Sequence, residues 1–95
     1  MRSFQHIAEL VRTKRLEHPK KLSQLGLSQL LGYKNGQFIS NVERGLCNVP
    51  LKMMKKISEI LDIDSEELKK VILKDHEVTL TNFFDKKDKS LPAKK

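Results

Sequence analysis

Phe4, Ile7, Ala8 and Val11 recur at the i, i+3, i+4, i+7 spacing that lines one side of an α-helix, which predicts a first helix between residues 3 and 17. Ser3 is placed to cap its first turn, and Pro19 ends it because a residue ahead of proline is pushed out of the helical region. Lys20 and Lys21 lead onward. Leu27 and Leu31, one helical turn apart behind Ser23 as N-cap, predict a second helix over residues 24–31, with Gly32 suited to a left-handed stop. Asn35-Gly36 signals a turn or cap, and Ile39 with Val42 is the next apolar pair, so the third helix starts at Gly36 or Gln37, runs to Arg44 and ends at Gly45. Pro50 opens a fourth helix over residues 51–61, whose stripe is Met53, Met54, Ile57, Ile60 and Leu61. Asp64 or Ser65 caps a fifth: Glu66 and Glu67 suit its positive end, Lys69, Lys70 and Lys74 its negative end, and Leu68, Val71 and Ile72 form its buried side. From His76 the helical signal weakens. Val78-Thr79-Leu80-Thr81 alternates like a short strand, Phe83-Phe84 is apolar, and the lysine-rich stretch from Asp85, carrying Pro92, reads as disordered.

A chain of 95 residues has room for one small domain with one core. The pattern places that domain at residues 1–75, with the helix–turn–helix at 23–45, and leaves 76–95 as a C-terminal extension. No apolar run approaches the roughly 18 residues of a membrane span, and Glu9, Arg12, Lys14 and Arg15 interrupt any secretory pattern. No membrane association and a cytoplasmic location are therefore expected. Cys47 is the single cysteine, so an intrachain disulfide is impossible and a reducing compartment is the simplest setting.

The net charge of +7 is unevenly placed. Residues 1–56 carry 11 Lys or Arg against Glu9, Glu17 and Glu43, whereas residues 57–82 carry three lysines against seven acids. Residues 83–95 then add five lysines against Asp85 and Asp88. The helix–turn–helix lies in the basic part, which either attracts phosphate backbones through counterion release or forms an ordinary solvated face.

Burial of Ile39 and Val42 leaves Gln37, Ser40, Asn41 and Arg44 on the other side of the third helix, with Gln37, Asn41 and Arg44 at i, i+4, i+7. Gln and Asn each offer a donor and an acceptor together, matching the major-groove edge of adenine, while Arg suits guanine or phosphate. The same row would also serve as a plain solvated face. Other chemically capable residues do not assemble. His6, His18, His76 and Cys47 lack ligand spacing, no Gly-rich phosphate loop or nucleophile elbow is present, and Asp62 and Asp64 read as caps in a turn. Neither an enzyme nor a cofactor- or metal-binding protein is expected.

Ser23-Gln24, Leu27-Ser28, Leu31-Gly32 and Glu43-Arg44-Gly45, taken together over residues 4–73, resemble the phage Cro and repressor type of helix-turn-helix protein, the Xre family. The resemblance implies an all-α, compact, five-helix, lambda-repressor-like DNA-binding domain. It also departs from the family in three places: Gly26 stands where Glu is usual and costs the second helix about 1 kcal/mol relative to alanine, the link through Pro19 to Lys21 is lengthened, and the turn before Ile39 is one residue longer. By position, the resemblance implies that Gln37 and Asn41, with Ser40 close by, face base edges, that Gln24 meets a phosphate at the start of the second helix, and that Arg44, Asn48 and Lys52 grip the backbone beyond the recognition helix. Lys34 would do so from the turn, where Asn35 also lies. For Lys34 and Lys52 the alternative is an ordinary surface lysine. A partly buried Arg15–Glu43 pair is implied as well, a structural feature that neutralises an acid near the DNA face.

The expected function is sequence-specific binding of double-stranded DNA by a small transcriptional regulator, a repressor acting as a homodimer, because one module reads only a few base pairs. Phe83 and Phe84 would join a dimer contact or pack back on their own chain. The alternative is an antitoxin-like module whose C-terminal segment holds a protein partner while the helix–turn–helix serves autoregulation.

Overall fold

The computed structural model describes residues 3–85, which form five α-helices: α1 Gln5–Glu17, α2 Gln24–Leu30, α3 Gln37–Glu43, α4 Leu51–Leu61 and α5 Ser65–Phe84. No strand occurs among the described residues, and the fold class is all-α. None of these helices is long and apolar enough to cross a membrane. The basic tail expected beyond Asp85 lies outside the described residues.

One core joins the first four helices and the short connection after α4. Ile7, Leu10 and Val11 of α1 meet Leu27 of α2, Ile39 and Val42 of α3, Met54, Ile57 and Leu61 of α4, and Val49, Leu31 and Ile63 from the connections. Leu27 and Ile39 are fully buried, and burying a side chain of that size is worth about 1.5–3 kcal/mol. α5 lies antiparallel along α1: Lys14 pairs with Glu67 at 3.5 Å near one end, and the Ser3 N–H donates to Thr79 Oγ1 at 2.8 Å near the other. Leu68, Val71 and Ile72 pack on the core from that helix.

Two local expectations are corrected. The strand-like stretch Val78–Thr81 is helical, and α5 runs unbroken through residue 76 to Phe84. Val78 and Thr79, both half-buried, continue the stripe of Val71, Ile72 and Asp75 at helical spacing, and Thr79 Oγ1 donates to the Asp75 carbonyl one turn back. Four alternating residues had too little length to outweigh that continuation. Ser3 does not cap α1 either. Phe4 occupies the N-cap position without a side-chain hydrogen bond, and the Ser3 hydroxyl instead donates to Asp75 Oδ1 at 3.2 Å.

The carboxylate of Asp75, only 3% exposed, takes over the capping task from a different helix. Oδ1 accepts from the His6 N–H at 2.9 Å and from His6 Nδ1 at 2.8 Å, and Oδ2 accepts from the Ile7 N–H at 2.9 Å. These N–H groups belong to the first turn of α1, which has no intrahelical partners for them and carries the positive end of the helix dipole. A carboxylate only accepts, so the His6 ring donates from Nδ1.

Candidate nucleic-acid interface

The geometry of α2 and α3 follows from small residues and short polar bonds. Ser23 caps α2, its Oγ accepting the Gly26 N–H at 2.8 Å. Gly32 ends the helix at φ 98°, a region an L side chain rarely adopts. Ser28 is fully buried where α2 and α3 meet, and its Oγ accepts the Ile39 N–H at 3.3 Å, one of the donors that the first turn of α3 leaves unpaired. A side chain larger than Ser28 would hold the two helices apart. Gly36 allows an equally close approach at the start of α3, where an added Cβ would lie 3.1 Å from the Leu25 backbone nitrogen and 3.2 Å from its Cα. The lengthened turn is held from both sides: Asn35 Oδ1 accepts the Gln37 N–H at 2.9 Å, and the rings of Tyr33 and Phe38 stack with centroids 4.4 Å apart.

On α3 itself the inner side is sealed by Ile39 and Val42, which are 0% and 1% exposed. The outer side carries Gln37 and Arg44, both exposed, with Ser40 and Asn41 half-exposed. Gln37 Nε2 donates to Asn41 Oδ1 at 2.9 Å, and Arg44 Nη2 donates to the same oxygen at 3.2 Å. Two residues expected to face base edges, Gln37 and Asn41, and one expected to grip the backbone, Arg44, thus form one hydrogen-bonded row along the open side of the helix.

Glu43 ends α3 on the inner side. Its carboxylate accepts from Arg15 Nε at 2.6 Å, from Arg15 Nη2 at 3.0 Å and from Gln24 Nε2 at 2.9 Å, and the Arg15 and Glu43 side chains are 11% and 3% exposed. Arg15 also donates to the Leu22 carbonyl at 3.0 Å, tying the linker after α1 to the same cluster. The hydrogen bonds that Arg15 donates to Glu43 hold its guanidinium above its ordinary value, partly opposed by burial. One face-to-face Arg–carboxylate pair therefore cancels an acid that would otherwise repel a polyanion.

The remaining expected residues are distributed around this row. Gln24 stands at the start of α2, where its amide nitrogen donates one of its two N–H groups to Glu43 and braces α2 against the end of α3. Lys34 is exposed in the turn before α3, Asn48 is exposed in the connection after it, and Lys52 is exposed in the first turn of α4. None of these three side chains is drawn into a hydrogen bond with the row. Asp75 was missed as a structural determinant, although the signal was present: an acid at the position where the apolar stripe of α5 should continue. The Tyr33–Phe38 stack was missed too, because two aromatics flanking a turn have no periodicity to announce them. Cys47 is partly buried, and burial pushes its thiol up, so it is a poor nucleophile at neutral pH.

Comparisons of the chain with protein families, with characterised proteins and with solved structures return no match.

Proposed function

We propose that this chain is a lambda-repressor-like helix-turn-helix protein of the Xre type that binds double-stranded DNA sequence-specifically, with α3 in the major groove, and regulates transcription in the cytoplasm. The observation that carries this reading is the row Gln37–Asn41–Arg44 on the open side of a helix whose other side is closed by Ile39 and Val42. A major groove about 12 Å wide admits one α-helix, and amide and guanidinium groups match base edges in donor and acceptor pattern. Glu43 is paired with Arg15, and Lys34, Arg44 and Lys52 are exposed cations before α3, at its end and at the start of α4. Lys34, Asn48 and Lys52 then position the domain on phosphates, while Gln37, Asn41 and Ser40 specify sequence. A homodimer on two half-sites about 34 Å apart supplies the specificity one module lacks, and occupation of a promoter by such a dimer represses.

A second reading has one observation in its favour. Leu80 is 42% exposed and Phe83 and Phe84 are each 71% exposed at the end of α5, where they touch each other edge-on at 4.9 Å rather than the core. Such a surface fits a protein partner, as in an antitoxin whose helix–turn–helix autoregulates. Titration with random duplex DNA at several salt concentrations tests the DNA contact that both readings invoke, and a second protein bound at the end of α5 would favour the antitoxin reading. Phosphate contacts through Lys34 and Lys52 predict a log–log salt slope of about −0.9 per contact, so roughly −2 from these two alone; binding that is absent at low salt would overturn the DNA contact and leave only a protein-interaction role for the end of α5.

A further inference from the structure

The hydrogen bonds along α3 assign different polarities to its two amides. An amide oxygen has two lone pairs and an amide nitrogen two N–H donors. Asn41 Oδ1 receives Gln37 Nε2 at 2.9 Å and Arg44 Nη2 at 3.2 Å, which occupies both of its lone pairs. What Asn41 has left to offer is its Nδ2 group, two donors and no acceptor. Gln37 spends one N–H on the row and keeps the other together with Oε1, so it retains both polarities. Arg44 spends one donor and, having no acceptor at all, adds only donors beside Asn41.

Base edges in the major groove differ in this same property. Adenine shows an acceptor, N7, next to a donor, N6–H, whereas guanine shows two acceptors, N7 and O6. Facing adenine, Asn41 would set its N–H groups against N6–H with no oxygen to accept it, and a buried donor left unpaired is penalised far more than a mismatched apolar contact. Freeing a lone pair requires breaking a bond the row already makes, either the one from Gln37 or the charge-assisted one from Arg44. Facing guanine, the row needs no rearrangement.

Resting on the DNA-binding reading above, we infer that the row Gln37–Asn41–Arg44 divides its recognition: Gln37 takes adenine, and Asn41 together with Arg44 takes guanine. The equal treatment of Gln37 and Asn41 that their composition suggests does not survive the side-chain geometry. Asn41 is a specificity-determining residue by virtue of what its neighbours have taken from it.

Selection of binding sites from a random duplex pool by the full chain, by Asn41→Ala and by Gln37→Ala tests this. The position whose preference vanishes in Asn41→Ala is guanine in the wild-type selection, and the position that vanishes in Gln37→Ala is adenine. Replacing that guanine by 7-deazaguanine, which lacks the N7 acceptor, weakens wild-type binding by about tenfold and weakens Asn41→Ala, which keeps only Arg44 at that base, by less. Asn41→Asp retains an oxygen for Gln37 and Arg44 but has no amide donors, and it loses the guanine preference as well, which guards against an alanine variant that folds poorly. An adenine at the Asn41 position overturns the polarity assignment while leaving the DNA-binding reading intact. A selection that enriches no sequence overturns both.

Discussion

At the residue scale, two buried carboxylates hold the domain together in different ways. Glu43 receives three hydrogen bonds, two from one guanidinium and one from Gln24, and so joins α1, α2 and α3 at a single point. Removing one member of a buried pair leaves the other charge uncompensated, so Glu43→Gln is expected to destabilise the fold by about 3 kcal/mol. For a domain of this size that corresponds to a fall in Tm of roughly 10–20 °C, measurable by thermal unfolding followed by circular dichroism. Because the folded-state value of Arg15 is raised, its share of the stability is fully present below the ordinary guanidinium value and is lost only as pH rises through the raised one. No pH dependence from Arg15 is expected near neutrality. Asp75 acts through backbone donors instead. Asp75→Asn keeps one oxygen where two had been accepting, leaves one of the two first-turn N–H groups of α1 facing an amide donor, and is expected to destabilise by about 2 kcal/mol in denaturant unfolding. A loss under about 0.5 kcal/mol would contradict the capping role.

At the element scale, the placement of α3 depends on the close approach of its first turn to α2. Gly36→Ala sets a Cβ against the Leu25 backbone, atoms that cannot rotate away, so overpacking of about 1–3 kcal/mol is expected together with a shift of α3 that weakens DNA binding. An alanine variant as stable as the wild type would show that the turn has slack. Much at this scale was legible in advance. The helices α1 to α4 announce themselves through apolar residues at helical spacing, and Ser23, Gly32 and Pro50 mark their ends, because each of these signals is local. What was not legible is non-local: the cap of α1 comes from Asp75, some 70 positions further along the chain, and no neighbourhood of Ser3 or His6 contains it. The continuation of α5 to Phe84 was obscured for a related reason. Thr79 and Asp75 interrupt the apolar stripe where they serve α1, so the helix loses its hydrophobic periodicity at the point where it gains hydrogen bonds.

At the scale of the whole molecule, charge is unevenly distributed along the chain. Basic residues concentrate in the first 56 positions, around the helix–turn–helix, and seven acids lie in residues 57–82, which include α5. The hydrogen-bonded row on α3 was legible as composition, since Gln37, Asn41 and Arg44 share one side by spacing alone. It was not legible as chemistry, since which atoms remain to meet a base depends on bonds between side chains. At the end of α5, Phe83 and Phe84 are exposed among the described residues, open to a second copy of the chain as to a different protein partner.

The central claim is that the outer side of α3 reads base edges and does not merely stay solvated. It is tested most directly by comparing Gln37→Ala/Asn41→Ala with Lys52→Ala on two duplexes, one carrying a site selected by the wild-type chain and one of random sequence, at a single fixed salt concentration. The double variant is expected to lose about tenfold or more on the selected site for each base contact removed and little on random duplex, while Lys52→Ala weakens both about equally. Equal losses on both duplexes from the double variant, or none on either, would contradict the claim.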